Sequence, residues 1–254
     1  MNTIRLTTLA KKESHRFLKV WMQTVFSPVM IALLYFVVFG AAFSGRVSNI
    51  EGISYLAFLV PGLALLQSTS NAFQNPSSSL IISKYHGTIN DMLLAPLTPL
   101  ERTLGYFFGG MLRGFLVSII VVLVGFFFLP DFFPSSPFLL LSLLFLVNGI
   151  FSFLGTLIGL WGKTFDHIAG LTTFLIVPMG FLGGVFYSLD ALPDFAQKIS
   201  LFNPFLYFVD AARFSCFGTS DISPFLSFGI TGVVFSLCFF FTYLAFKKEW
   251  WIKE

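Results

Sequence analysis

Apolar positions along the chain fall into six long blocks separated by short polar segments. The blocks are Val25–Phe43, Tyr55–Phe73, Leu104–Leu129, Phe138–Trp161, Ile168–Phe186 and Phe225–Phe246. Each is close to the ~20 residues that an α-helix needs to cross a bilayer, and the second span is expected to continue to about residue 80. The blocks are continuous, whereas the strands of a membrane barrel would alternate apolar and polar positions. The pattern predicts an all-α membrane protein with six transmembrane helices in a single domain, 1–254.

A shorter amphipathic pattern precedes the first block, at residues 3–20. Its apolar residues are Leu6, Leu9, Ala10, Phe17 and Val20. Helical spacing puts most of them on one stripe, although Glu13 falls within it. Together with several basic residues, this favours an interface helix on the inner membrane surface, its lysines near anionic headgroups. A solvated basic tail is the alternative. A cleavable signal is not expected, because the polar region extends to about Thr24.

The second span is unusually polar over Gln67–Ser79, which reads QSTSNAFQNPSSS. Lipid cannot satisfy such groups, so they must face protein or a water-filled cavity. They either hydrogen-bond neighbouring helices around a kink at Pro76 or line a cavity or subunit interface. Both alternatives stay open at this point.

Arg113, in the segment GGMLRGF, is predicted to lie deep in the third span. It lies ~14 Å along that span if the helix starts near Leu104. It either pairs with carbonyls and the polar part of the second span or binds an anionic substrate group. The candidate substrate path comprises Gln67, Asn71, Gln74 and Arg113. All Asp and Glu residues fall in loops or at span ends, which disfavours a transporter coupled to protons or sodium ions.

The loop between the second and third spans, Lys84–Gly105, contains a short apolar stripe. Ile89, Met92 and Leu93 form the stripe, and the prolines of the APLTP segment end it. This predicts a short amphipathic helix that either rests on the bilayer or docks into a soluble partner.

The segment after the fifth span predicts two further short helices on the opposite side. Pro193 and Pro204 each suit a first helical position, and Asn203 is a good N-cap before the second helix. Both helices are too short to cross the membrane. They are therefore expected to be re-entrant, dipping into the outer leaflet or covering the outer mouth of a pathway.

Lysine and arginine placement predicts the orientation. With six spans both termini share a side, and that side holds Arg5, Lys11, Lys12, Arg16, Lys19, Lys84, Arg102, Lys163, Lys247, Lys248 and Lys253. The other side has only Arg46, Lys198 and Arg213. The tryptophans agree with this orientation, since Trp21, Trp161, Trp250 and Trp251 fall at the ends of spans on the basic side. Both termini are therefore predicted to be cytoplasmic.

One short motif suggests nucleotide binding but is in the wrong register. Gly162-Lys163-Thr164 resembles the end of a P-loop, yet the glycine that should stand five residues earlier is Leu157. The motif also ends a membrane helix, where a P-loop would follow a strand. No metal site is expected, because His15, His86 and His167 lack ligand spacing. No nucleophile and base stand together for catalysis, and the two cysteines are too few for a disulfide framework.

Segments spread over nearly the whole chain resemble the permease, or integral membrane subunit, of ABC-2 type exporters for drugs, lipid-linked polysaccharides and nodulation factors. They are KESHRF, WMQTVFSPV, YFVVFG, VPGL, LLAPLTPLE, KTFDHI, GGVFYSLDALP and NPFLYFVDAAR. The last two, with a Gly-Gly-x-Phe turn followed by Leu-Pro and Asn-Pro, are the most specific.

This resemblance implies a subunit of the bacterial cytoplasmic membrane that is not itself an enzyme. Two permease copies, expected to form a homodimer, would each dock one cytosolic ABC ATPase subunit. ATP and Mg²⁺ would bind to that partner, with no cofactor in this chain and no nucleic acid. The cargo would be hydrophobic or amphiphilic and would leave the cell. An ion-coupled or passive transporter without an ATPase is the alternative.

The resemblance also implies two groups of site residues. The ATPase contact would be the coupling helix, matching roughly 86–94, with the inner turn, and comprises His86, Ile89, Asp91, Met92, Leu93, Leu94, Lys163 and Asp166. The outer re-entrant gate comprises Gly183, Gly184, Phe186, Pro193, Asn203, Pro204 and Tyr207. Its two short helices would match 189–200 and 204–217.

Overall fold

A computed structural model describes residues 3–43, 49–50, 52–129 and 133–249, and helices dominate it. The helices are α1 (Thr3–Lys19), α2 (Ser27–Phe43), α3 (Tyr55–Tyr85), α4 (Ile89–Leu94), α5 (Pro99–Phe128), α6 (Pro137–Trp161), α7 (Phe165–Leu171), α8 (Val177–Leu182), α9 (Asp194–Leu201), α10 (Pro204–Phe217) and α11 (Pro224–Lys247). Two π-helical segments, Met22–Phe26 and Thr172–Ile176, lead into α2 and α8, and a 3₁₀ turn, Leu189–Ala191, precedes α9. The short strands β1 (Asn49–Ile50) and β2 (Ile53–Ser54) pair antiparallel.

Within the described ranges, six helical runs are long and apolar enough to cross a membrane, which confirms the predicted all-α membrane protein. They are Met22–Phe39, Tyr55–Tyr85, Pro99–Phe128, Pro137–Trp161, Phe165–Leu182 and Pro224–Lys247.

Several observed span ends differ from the predicted ones by three to five residues, and local chemistry explains two of the differences. The third span begins at Pro99 rather than Leu104 because Thr98 and Glu101 form a capping box. The fifth ends at Leu182 rather than Phe186 because the next glycines leave the helix, Gly184 with φ of 77°. The second runs on to Tyr85, continuous through both of its prolines.

Helix α3 is the centre of the bundle and positions the polar stretch. It packs against α2, α5, α6 and α10, and its first half is buried on nearly every side. Leu59, Leu63 and Val121 belong to the main apolar core that surrounds it. The polar half of α3 is thereby held among neighbouring helices.

One end of the bundle, which we call the α4 end, holds α4, the turn at residues 162–164 and the last turn of α11. The Tyr106 ring near the start of α5 stacks on Phe246 of α11 with centroids 6.0 Å apart.

Exposed Trp21 and Trp161 are the two tryptophans that the structure describes. The remaining topology markers, Arg46, Trp250, Trp251 and Lys253, lie outside the described residues. Helix α10 and the turns beside it form the opposite end, called the α10 end.

Candidate functional site

Helix α1 packs on the bundle through the stripe that contains Glu13. Leu9, Glu13 and Phe17 are all buried, so residues 3–19 are not a solvated tail. A Cβ atom on Gly109 of α5 would lie 2.4 Å from the Cβ of Glu13. Only glycine permits that approach, and Gly105 makes the same allowance for Leu9. Glu13, the apparent break in the apolar stripe, is therefore part of the contact.

A polar network joins α1 to the polar half of α3. Glu13 Oε1 accepts a hydrogen bond from Ser79 at 2.8 Å, and Glu13 Oε2 lies 3.3 Å from Arg16 Nε. The Arg16 guanidinium also donates to Ser78 Oγ at 3.2 Å and to Asn75 Oδ1 at 2.8 Å, as well as to the Asn75 carbonyl. The network satisfies a carboxylate with no exposed surface, as burial of a charge requires.

Arg113 has a weaker set of partners. Its Nε and Nη2 atoms donate to a single oxygen, Asn71 Oδ1, at 3.2 and 3.0 Å. Within the described part of the chain, ion pairs join Arg16 to Glu13 and Arg213 to Asp221, and neither involves Arg113. Arg113 lies near the middle of α5, about 21 Å from its first residue at 1.5 Å per residue.

A cavity of about 560 Å³, which we call the arginine cavity, lies beside these groups. It is lined by Arg16, Val20, Gln23, Gln74, Ser78, Arg113, Phe165, Ile168, Ala169, Thr172 and Thr173. The structure thus brings Gln74 and Arg113 of the predicted path into one cavity, while Asn71 lies behind Arg113 as its hydrogen-bond partner. Gln67 is part-exposed on α3 but does not line this cavity.

Both π-helical segments open onto the arginine cavity. Gln23 belongs to the first segment, and Thr172 and Thr173 belong to the second. Each segment lies just before a proline, Pro28 or Pro178, and a proline disturbs the carbonyl four residues earlier. That carbonyl falls inside the π-helical segment in both cases. Such bulges are frequent at functional sites, and this proline spacing was the sequence signal that the sequence prediction missed.

A short helix, α4, lies where the coupling helix was predicted, but its apolar stripe faces the chain itself. Ile89 is buried, and Met92 is half-buried and accepts a hydrogen bond from Tyr106 Oη at 3.1 Å. His86 and Asp91 are exposed, and Leu94 keeps 84% of its surface exposed. The side chain of Leu93 lies outside the described ones. Among the described side chains, those available to a partner are consequently the polar residues and Leu94.

The turn after α6 lies next to the end of α3. Lys84 Nζ donates to the Gly162 carbonyl at 3.0 Å and to the Leu160 carbonyl, so it caps α6. Lys163 and Asp166 are both exposed. The Gly-Lys-Thr sequence therefore lies in a turn between two candidate spans rather than between a strand and a helix, which a P-loop requires.

Gly183, Gly184 and Phe186 of the predicted gate lie at the α10 end. The Phe186 ring packs against Phe39 and Phe181 with centroids 5.1 and 4.9 Å apart, and its carbonyl accepts a hydrogen bond from Tyr55 Oη at 3.2 Å. Gly183 and Gly184 form the turn before it.

Two short helices follow, as predicted, with one shift of register. Asn203 caps α10 through the Phe205 amide and donates to the Met179 carbonyl at 2.7 Å, while Pro204 is the first residue of α10. Tyr207 Oη donates to the Leu201 carbonyl at 2.8 Å. Pro193 was predicted in the first helical position but is the N-cap residue of α9, which begins at Asp194. Most of α10 is buried, so it belongs to the core of the bundle.

Arg213 and Asp221 organise the same end, and the sequence prediction missed their role. The Arg213 guanidinium stacks 3.6 Å from the centre of the Phe58 ring, donates to the Gly184 carbonyl, and lies 4.0 Å from Asp221. Asp221 also accepts a hydrogen bond from the Leu189 amide at 2.7 Å. The sequence signal for this role was a pair of charged residues, Asp210 and Arg213, in the otherwise apolar segment FLYFVDAARF.

Asp210 supplies the other charge of that pair. Its carboxylate accepts hydrogen bonds from the Ser227 hydroxyl and from the Asp221 and Ile222 amides. Burial nevertheless raises the pKa of the Asp210 carboxyl above its ordinary value. The cluster ties the turn before α11 to α10 and so fixes the loops of the α10 end.

Comparison with known proteins gives a consistent result. Residues 5–217 match the family described as ABC-2 type transporter. The inner membrane transport permease YadH of Escherichia coli K12 is 38% identical over 237 residues, which cover 93% of this chain and 92% of that protein. The putative transport permease ycf38 of Cyanophora paradoxa is 31% identical over 75% of this chain and 67% of that protein. Nodulation protein J of Rhizobium leguminosarum is 24% identical, covering 78% and 76% respectively.

Proposed function

Because this chain belongs to the ABC-2 type transporter family and is a multi-pass membrane transport permease, we propose that it is the transmembrane subunit of an ATP-driven exporter. Its relative YadH is named as an inner membrane protein, and this chain is accordingly located in the bacterial cytoplasmic membrane. The α4 end faces the cytosol, since most of the lysines and arginines gather there.

ATP and Mg²⁺ are bound by a separate cytosolic ABC ATPase, one copy on each of two permease chains. The observation that carries this proposal is the position of α4. It is a separate six-residue helix at the basic end of the bundle, it follows α3 after a three-residue turn, and its outer side is exposed. A helix on such a short connection transmits a push from a docked partner directly to α3.

The partner surface comprises α4 and the turn after α6. Lys84 connects these two parts of the surface. It lies in the last turn of α3, just before α4, and donates hydrogen bonds to the carbonyls that end α6. His86, Asp91 and Leu94 present the exposed face of α4, and Lys163 and Asp166 present that of the turn. Movement of α4 would therefore reach α3 and α6 together.

The transported molecule is hydrophobic or amphiphilic and leaves the cell through a path that includes the arginine cavity. A second copy of the permease completes the path as a homodimer. The apolar surfaces of α2, α7–α8 and α11 are the least buried of the candidate spans. They are the faces on which such a copy would pack.

Replacing Leu94 with glutamate tests the ATPase contact. Burying a leucine side chain contributes about 1.5–3 kcal/mol, so its loss should lower ATPase recovery with the tagged permease by roughly tenfold or more. Leu201→Glu, which alters an exposed leucine at the α10 end, should leave recovery unchanged. Ile89 is unsuitable for this test because it is buried within the chain.

Recovery of the ATPase with Leu94→Glu at the wild-type ratio would contradict the proposed contact. Transport in vesicles provides the broader test of function. Transport that persists without ATP and stops when an ion gradient is removed would instead identify an ion-coupled transporter.

A further inference from the structure

The positive charge of Arg113 is not offset by a carboxylate in the described part of the chain. Five N–H groups of a guanidinium can donate hydrogen bonds, and here two of its nitrogens share one neutral amide oxygen. The Nδ2 atom of that amide, in Asn71, donates to the Gln67 carbonyl at 3.0 Å, which fixes the oxygen toward Arg113. An amide orients the guanidinium, but it supplies no negative charge. A charge at this depth ordinarily has a partner of opposite sign or marks a substrate site.

Arg16 provides a second guanidinium in the lining of the arginine cavity. Glu13 pairs with it on the far side and has no exposed surface, so the carboxylate does not line the cavity. Arg16 and Glu13 together are neutral, and Arg113 leaves the site with a net positive charge. A cationic drug would meet two guanidinium groups here and is disfavoured.

The remaining lining is divided by polarity. Gln23, Gln74, Ser78, Thr172 and Thr173 supply neutral amide and hydroxyl groups around the arginines. Val20, Phe165, Ile168 and Ala169 supply an apolar wall. A ligand that satisfies both parts has an anionic group and an apolar chain. The volume of about 560 Å³ lies within the range of small-molecule sites.

We propose that the arginine cavity binds an anionic head group of the phosphate class, with Arg113 as the principal ligand and Arg16 as the second. Arginine suits this group because its fork donates two parallel hydrogen bonds to phosphate oxygens. The inference rests on the proposed function and specifies it, since it makes the cargo an anionic amphiphile. The same chemistry is offered by a lipid head group and by free phosphate, which experiment separates.

Calorimetric titration of the purified full-length permease in a neutral detergent tests this site with three probes. Dihexanoyl phosphatidic acid should bind, whereas dihexanoyl phosphatidylcholine, with the same tails and no net charge, should bind at least tenfold more weakly. Arg113→Gln should weaken phosphatidic acid binding tenfold or more, and Arg113→Lys should recover part of it because the charge returns without the fork. Inorganic phosphate, the third probe, identifies the source of the anion. If it binds as tightly as phosphatidic acid and depends equally on Arg113, the site takes the phosphate group alone.

Two variants separate loss of the site from loss of the fold. Gln74→Glu places a carboxylate in the lining and should abolish phosphatidic acid binding with the helices intact. Lys11→Gln removes an exposed charge of α1 at the α4 end and should leave binding unchanged. Equal binding of both lipids, unchanged binding in Arg113→Gln, or no binding of any probe would overturn the proposal.

The titration needs no ATPase, so it tests the anion site independently of the proposed function. Wild-type permease that recovers its ATPase but binds no anionic probe would refute the anion site and leave the exporter assignment standing. Phosphatidic acid binding that depends on Arg113, in a permease that recovers no ATPase, would support the anion site and count against the exporter assignment.

Discussion

Replacing Gly155 with alanine is expected to force apart the two helices at the centre of the bundle. An added Cβ atom would lie 2.1 Å from the carbonyl oxygen of Phe73 and 3.0 Å from its Cα atom. These are backbone atoms of α3 and cannot rotate away as a flexible side chain would. Restoring an ordinary contact requires α6 to move by roughly 1 Å, which a close-packed interior resists.

The expected loss of stability follows from two opposing terms. Overpacking of a well-packed core costs about 1–3 kcal/mol, and a contact with backbone lies at the upper end of that range. Alanine has a higher helix propensity than glycine, which returns about 1 kcal/mol. The net loss is about 2 kcal/mol. For a chain of this size it corresponds to a Tm lower by about 4–8 °C.

Thermal unfolding of the purified permease, followed by tryptophan fluorescence in one detergent, measures this shift. Gly232→Ala in α11 is the matched control, because its added Cβ would meet no atom within 4 Å apart from those of its own helical turns. The control should gain about 1 kcal/mol, with a Tm higher by about 2–4 °C. A Tm for Gly155→Ala equal to or above that of Gly232→Ala would refute the packing of α6 on α3 described above.

Three further substitutions test the other contacts. Glu13→Ala should cost about 1–3 kcal/mol, because Ser79 and Arg16 lose their buried acceptor, whereas Glu13→Gln should cost less. Equal Tm values for the two would contradict the network. Asp221→Ala should open the loop at the α10 end and speed tryptic cleavage at Lys198. Asp221→Asn keeps an acceptor and should leave the cleavage rate unchanged, so equal rates for the two variants would count against the Arg213 cluster. Lys163→Ala should leave binding of a fluorescent ATP analogue by the complex with the ATPase unchanged, and loss of that binding would contradict a turn without a nucleotide site.

The polar half of α3 shows how far the sequence could be interpreted. Its composition established that these groups need protein or water around them, but left helix contact and cavity lining as alternatives. Both occur, on different faces of the helix. Asn75 and Ser79 bind α1, while Gln74 and Ser78 line the arginine cavity, where Ser78 also accepts a hydrogen bond from Arg16 of α1. Helical periodicity separates the two pairs, but it cannot say which neighbour each face meets.

The role of Glu13 was out of reach of the sequence for a related reason. Local spacing made it a flaw in an apolar stripe, because the partner that satisfies it lies more than sixty residues away. The same limit applies to Ile89, whose apolar stripe could face a partner or the chain itself. Local patterns specify that a helix is amphipathic, and tertiary packing decides what its apolar side covers. By contrast, the end of α8 and the start of α10 follow from local glycine and proline chemistry.

The distribution of burial identifies the walls of the arginine cavity that the helices of this chain constrain least. Helix α3 is held on most sides by other helices and is tied to α1 by the network at Arg16. The opposite walls, the segments Met22–Phe26 and Thr172–Ile176, belong to two of the three least buried candidate spans. Each has an irregular hydrogen-bond ladder next to a proline, where a helix bends at low cost. If a docked partner displaces α4, we therefore expect the cavity to change mainly through these two segments, with Arg113 kept in place by Asn71.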